Sequence, residues 1–142
     1  MAKEWIPCVH SIASSQDMRL IENLRNYVGN NFYTRWDLAH PTYNGDDNKR
    51  LNVTGVKILV SQADANDKIG MIKVLFIRQG TITAKYNNTT GITSAGEHVY
   101  ELGTNYADDY DQVIVTLYHS VTTTHSLRVN AVLLECEYVN MP

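Results

Sequence analysis

The sequence predicts a mainly β protein: an antiparallel β-sandwich, jelly-roll-like, with one accessory α-helix near its N-terminus. Three observations predict it. From Leu51 onward the chain reads as short runs rich in Val, Ile, Thr and Tyr, separated by turns holding Gly, Asn or Asp, with no helical period between them. The last third, Gln112 to Val139, reads as two long apolar strands around a polar turn, a hairpin that serves as a spine. Only one stretch, about 15–28, repeats its apolar residues at three- and four-residue spacing.

In chain order, Lys3 to Ile12 is apolar and extended, and Pro7, lacking a donor, confines such a strand to a sheet edge or a bulge. Ser14 and Asp17 then make a capping pair, and Gly29 is a C-terminal stop. Between them Met18, Ile21, Leu24, Tyr27 and Val28 form the stripe of a helix lying on the outside of a sheet. Residues 30–49 hold Phe32, Tyr33, Trp36, Leu38, His40 and Tyr43, broken by Pro41 and by Asn44-Gly45-Asp46-Asp47-Asn48. They read as a long loop of the kind that is functional, mobile or conceals a strand.

The β-rich part runs from about 51 to 139. Val56, Ile58 and Val60 alternate with Lys57, Leu59 and Ser61, and Ala63 to Asp67 is a turn. Ile69 to Gln79 is apolar on both faces, as a central strand is. Gln79-Gly80 turns into Thr81 to Tyr86; a polar loop leads to a short strand at His98 to Leu102, and another polar loop to the closing hairpin. In the last strand the apolar set changes phase, from Leu127, Val129 and Ala131 to Leu134, Cys136 and Tyr138. A strand alternates with period two, so the change predicts an extra residue, a β-bulge, near Val132.

At 142 residues the chain is expected to be one domain, 1–142, able to bury an ordinary core. A net charge of −3 and the lack of a basic tail speak against binding nucleic acid through its phosphates. The N-terminus has no apolar signal region, and no apolar run approaches a membrane span. The expected location is therefore the cytoplasm or a virion, with no membrane insertion. Cys8 and Cys136 are expected to be reduced, buried thiols.

The search for chemistry is mostly negative. His119 and His125 flank the final turn, but no carboxylate or Cys pattern completes a metal set, and they read as surface residues. The loops with Asp46, Asp47, Asp108, Asp109 and Asp111, and the turn Asp64 to Asp67, offer oxygen ligands without the alternating EF-hand spacing. Cys8 with His10 two residues on is no reactive pair by spacing alone, and neither a Gly-x-Ser-x-Gly elbow nor a phosphate-binding Gly loop is present. No catalytic, metal or cofactor residues are expected, and the protein reads as a non-enzyme.

The surplus is aromatic: nine Tyr and two Trp, several in expected loops. Tyr33, Trp36, Tyr43, Tyr106 and Tyr110, together with Glu135 on the outward face of the last strand, are the candidate interface or ligand-contact residues. In composition, rich in Asn, Thr and Tyr and poor in charge, the chain resembles small β-sandwich accessory proteins of virus and phage particles. That resemblance implies a structural or assembly protein acting through protein–protein contacts as a homo-oligomer: a capsid, decoration or tail-associated component. The alternative is a lectin-like carbohydrate-binding module. There Trp36 or Tyr43 would be the stacking platform, with Asp46, Asn48 or Asp108 to Asp111 bonding hydroxyls.

Overall fold

Among the described residues eight strands pair antiparallel in one curled, half-barrel sheet, in the order β5-β4-β7-β2-β1-β8-β3-β6. They are β1 (Glu4–Ile12), β2 (Gly29–Leu38), β3 (Lys49–Gln62), β4 (Lys68–Arg78), β5 (Thr81–Asn88), β6 (Gly96–Glu101), β7 (Gln112–Val121) and β8 (Arg128–Asn140). The computed structural model describes residues 3–12, 29–38, 49–107, 110, 112–122 and 127–140, with only the backbone described at 10–12, 29–33 and 49. No α-helix occurs among the described residues, and the helix expected over about 15–28 lies outside them.

The pairing is nested. β1 pairs with β8, β2 with β7, β3 with β6 and β4 with β5, so the chain forms one long ribbon closed at the β4–β5 turn and folded back on itself. Folding the ribbon adds the pairs β3–β8 and β4–β7. β1 joins the two halves. Its residues Glu4 to Pro7 pair with β8, and from Cys8 onward they pair with β2. Pro7 therefore sits in mid-sheet, where a ladder changes sides. Each half of β1 is an edge on its unpaired side, so a residue without an N–H is tolerated there.

The inner face follows from the alternation. Leu51, Val53, Val56, Ile58 and Val60 of β3 and Val129, Val132, Leu134 and Cys136 of β8 share one core cluster with Ile69, Ile72, Val74 and Phe76 of β4 and Val113, Val115 and Leu117 of β7. Both halves of the sheet thus turn their apolar faces to the same interior. The two terminal strands also converge: the rings of Tyr86 on β5 and Tyr100 on β6 lie 5.9 Å apart. Bulges supply part of the curl, because an extra residue bends a strand and increases its twist. Thr54 is such a residue opposite the Cys136–Glu135 step, and Gly70 is another in β4.

Two expectations are corrected, and the expected turn at Gln79-Gly80 is met. The stretch 30–49 is not all loop, because β2 occupies Gly29–Leu38, with Thr34 and Trp36 turned inward and Arg35 and Asp37 outward. Polar residues on both faces had diluted its period of two. The bulge in β8 falls at Asn130, between the pairs Leu59–Ala131 and Val60–Val129, rather than near Val132. Ala131 consequently faces outward and Val132, 1% exposed, points into the core. The β4–β5 turn is as tight as a hairpin allows. Gln79 (φ 49°) and Gly80 (φ 83°) both take the left-handed conformation between the partners Arg78 and Thr81, the signature of a two-residue turn whose twist matches its strands.

Candidate functional site

Of the six residues singled out, the structure places four. Trp36 is not on a loop. It lies inside β2, 3% exposed, in the core cluster, and its indole Nε1 donates to Thr34 Oγ1 at 2.9 Å. It offers no stacking surface. Tyr110 packs edge-on against Phe76, with ring centroids 5.1 Å apart at 84°, and the Lys85 ammonium lies 5.5 Å from its ring. Tyr106 is covered by the Arg50 guanidinium, 3.9 Å above the ring. Glu135 faces outward, as expected, and is partly buried. Tyr33 lies in β2 with its side chain outside the described set, and Tyr43 lies outside the described residues altogether.

Glu135 belongs to a polar cleft of about 340 Å³ that sequence reasoning did not assemble. Its lining includes Lys3, Asn52, Thr54, Glu101, Thr104 and Glu137. Register makes it. Asn52 pairs with Glu137 and Gly55 with both Glu135 and Glu101, so β8 and β6 bring their carboxylates to one end of the outer face, on either side of β3. The bulged Thr54 donates its hydroxyl to Glu135 Oε1 at 2.8 Å, and Lys3 Nζ lies 3.9 Å from the same oxygen. Asn52, 5% exposed, forms the floor: its Nδ2 donates to Glu137 Oε1 at 3.2 Å and its Oδ1 accepts from the Asn105 N–H at 2.8 Å. Asn105 in turn donates through Nδ2 to the Leu102 carbonyl at 2.7 Å, fixing the β6–β7 loop over the cleft. Trp5 borders the site, since a Cβ built on Gly55 would meet both Glu135 Oε1 and Trp5 Cη2 at 3.4 Å. The Lys57 ammonium lies 4.2 Å from the Trp5 ring and 3.2 Å from Glu97.

Three carboxylates against one ammonium make this an acceptor-rich cleft, suited to a cationic or hydroxyl-bearing group. Among the described residues no three His, Cys, Asp or Glu side chains are grouped closely enough to hold a metal ion. Asn within an apolar strand and a Gly after a β-branched pair at 52–55 were the available sequence signals for this floor and its bulge.

The remaining candidates for chemistry are structural. His119, expected at the surface, is 2% exposed on the inner face of β7, with Nε2 2.9 Å from Thr34 Oγ1. Trp36, Thr34 and His119 thus form a buried hydrogen-bonded chain that ties β2 to β7. The acidic turn 63–67 spends its carboxylates on backbone. Asp64 Oδ1 accepts from the N–H groups of Asn66 and Asp67, both at 2.8 Å. Asp67, 4% exposed, accepts from Thr122 N at 2.5 Å and Thr122 Oγ1 at 3.1 Å, clamping this turn to the end of β7. Cys8 and Cys136 are free thiols. Burial pushes both up to about 12, with the Cys136 charge adding at Cys8 and that of Glu135 at Cys136, so neither is a ready nucleophile.

No protein-family model matches the chain, and neither a curated protein nor a solved structure matches it. Among the described residues no helix is long and apolar enough to cross a membrane.

Proposed function

We propose that this chain is a jelly-roll-like, two-layer β-sandwich that serves as a non-enzymatic structural or assembly protein, working through protein–protein contacts as a homo-oligomer in a virus or phage particle. The nested ribbon carries the reading. Pairing first with last, second with seventh, third with sixth and fourth with fifth, then rolling the ribbon up, is the construction of a double-sheet jelly roll, an architecture of viral capsid and lectin domains. The convergence of Tyr86 and Tyr100 and the shared core support a two-layer packing of the curl. Fold alone does not fix function, so the assembly role rests also on surface. Val99 and Ile82, 50% and 60% exposed, stand on the outer faces of the two terminal strands β6 and β5, where an unshielded apolar side chain invites a partner. Sedimentation velocity across a hundredfold concentration range tests it. Species at multiples of 16.1 kDa are expected, and a strict monomer at every concentration would refute the assembly role.

The polar cleft favours a second reading, a carbohydrate-binding module, now with Trp5 rather than Trp36 as its aromatic residue. Carboxylates and amides beside an indole are the groups that bond sugar hydroxyls and stack on a sugar ring. This reading ranks second because Lys57 lies against the Trp5 ring. Under it, sugar titration quenches a fluorescence component that Trp5→Phe removes, whereas buried Trp36 stays silent.

A further inference from the structure

We infer that the polar cleft beside Trp5 takes an amino sugar, a ring that carries a protonated amine among its hydroxyls. The inference rests on the carbohydrate reading of the cleft given above and names the class of sugar. Two independent features of the lining point to it, and the first is charge. Glu101, Glu135 and Glu137 face Lys3, so three carboxylates against one ammonium leave two negative charges in excess. Arg50 stands on the same outer face of β3, but it does not line the cleft, and its guanidinium rests over Tyr106. The three carboxylates are unequally satisfied. Glu135 accepts from the Thr54 hydroxyl at 2.8 Å and has Lys3 3.9 Å away, whereas Glu137 accepts only from the Asn52 amide at 3.2 Å. Glu101 is exposed, with no hydrogen bond or ion pair among the described residues.

The second feature is the floor. Asn52 is 5% exposed, yet its side chain is only half spent. Nδ2 gives one hydrogen to Glu137 and Oδ1 gives one lone pair to the Asn105 N–H; the other hydrogen and the other lone pair meet no partner among the described residues. A buried amide with unspent donors and acceptors asks for a polar ligand. A plain amine answers the carboxylates but offers Asn52 no acceptor. A neutral sugar answers Asn52 but leaves Glu101 and Glu137 without a cation. An amino sugar answers both, its hydroxyls meeting Asn52 and its ammonium making charge-assisted hydrogen bonds to the carboxylates. Because the Lys57 ammonium already lies 4.2 Å from the Trp5 ring, stacking alone does not select the ligand, and the choice falls to these polar groups. A volume of about 340 Å³ stands at the small end of ligand clefts.

Isothermal titration calorimetry of the full chain tests this with the linear glucosamine trisaccharide, its N-acetylated form and the corresponding glucose trisaccharide. The glucosamine trisaccharide should bind roughly tenfold more tightly than either neutral form, the worth of one charge-assisted hydrogen bond, and added salt should weaken it. Glu101→Gln changes an exposed side chain that has no partner to lose, so the fold is kept and the preference should disappear. Glu4→Gln removes an equal charge outside the cleft and should keep the preference. If the neutral trisaccharides bind as tightly as the cationic one, or if Glu101→Gln retains the full preference, the inference fails while the carbohydrate reading stands. Binding by none of the three overturns both. Putrescine, an amine without hydroxyls, is the remaining probe: if it binds as tightly as the glucosamine trisaccharide, the cleft is a plain amine site and both readings fall.

Discussion

Gly91 is where the fold tolerates least, and Gly91→Ala tests that with a matched control. Its φ is +76°, and a Cβ there would lie 2.1 Å from the Ile69 carbonyl oxygen, closer than real Cβ atoms approach backbone. The loop cannot yield cheaply, because the Ile69 N–H donates to the Ile92 carbonyl at 3.1 Å and the Ile92 N–H returns to Ile69 at 2.8 Å. Ile92 is 1% exposed, so moving the loop also draws it out of the core. The left-handed backbone costs a non-glycine residue about 1–2 kcal/mol. Losing two hydrogen bonds adds about 1 kcal/mol each, and partial exposure of an Ile adds up to about 2 kcal/mol. The sum is about 3–6 kcal/mol, a large share of the roughly 5–15 kcal/mol that holds a domain of this size. Gly80→Ala is the control: its φ is +83°, but nothing lies within 4 Å of its Cβ, so only the backbone term applies. Urea denaturation followed by tryptophan fluorescence should lower the midpoint by at least about 1 M for Gly91→Ala. If the two variants differ by less than about 1 kcal/mol, the close approach at Ile69 does not constrain the fold, and the reasoning is wrong.

Other perturbations read other parts of the structure. Asp67→Ala removes the acceptor of two Thr122 bonds at a 4% exposed site and should cost about 3–6 kcal/mol, since hydrogen bonds to a charged group contribute about 1.5–3 kcal/mol each; a melting temperature within 2 °C of wild type, roughly the shift of half a kcal/mol, would contradict it. Val129→Asp and Leu134→Asp should each unfold the protein, while Arg128→Asp is tolerated; a cooperative thermal transition for Leu134→Asp would sink the inward assignment of β8. Cys8 and Cys136 should react slowly with a thiol reagent in the native state and fully after denaturation. Their folded values stand near 12 against an ordinary 9.0, so their contribution is complete below about pH 9 and is lost as the pH rises from 9 towards 12. Urea midpoints should fall over that range, and less steeply for a Cys8→Ala, Cys136→Ala protein; equal slopes would remove the thiols as the cause.

Local pattern carried the fold as far as its strands and no further. The β composition after Leu51, the turn at Gln79-Gly80 and the phase change in β8 each depend on neighbours within a few residues, and each was legible. The bulge was misplaced by two residues because Ala131 is small enough to read as apolar on either face; only the pairing of Leu59 with Ala131 and of Val60 with Val129 decides which. β2 escaped for a related reason. Thr34 is fully buried, yet a sequence reader counts it as polar; its hydroxyl is accommodated by Trp36 and His119, residues two and eighty-five positions away. A buried polar residue is recognisable only once its partners are known.

The same argument explains why the candidate surface was read one residue in six from the last strand and the rest from loops. In the sequence, aromatic residues between strands read as surplus surface, but Trp36 and Tyr110 pack against the core, and Tyr106 lies beneath Arg50. Packing of this kind depends on which strands are neighbours, and the nested order sets β3 between β8 and β6 although the paired residues lie 36 (Val60 and Gly96) to 91 (Lys49 and Asn140) positions apart in the chain. Glu135 was legible because alternation within one strand suffices to point it outward. Its companions Asn52, Thr54 and Glu101 were not, because they become a cleft only when two register choices and one bulge place them in adjacent rows. A one-residue slip of β3 against β8 would turn Asn52 inward and Val53 out. The bulge at Thr54 is what lets Val53 and Val56 both face the core while Thr54 reaches Glu135. Deleting Thr54 therefore separates surface from core: it removes the unpaired residue, leaves Val53 and Val56 two positions apart on one face, and should keep cooperative unfolding while losing the bond to Glu135 and reshaping the cleft. A Thr54 deletion that no longer unfolds cooperatively would mean that the strand alternation assigned here to β3 is incorrect.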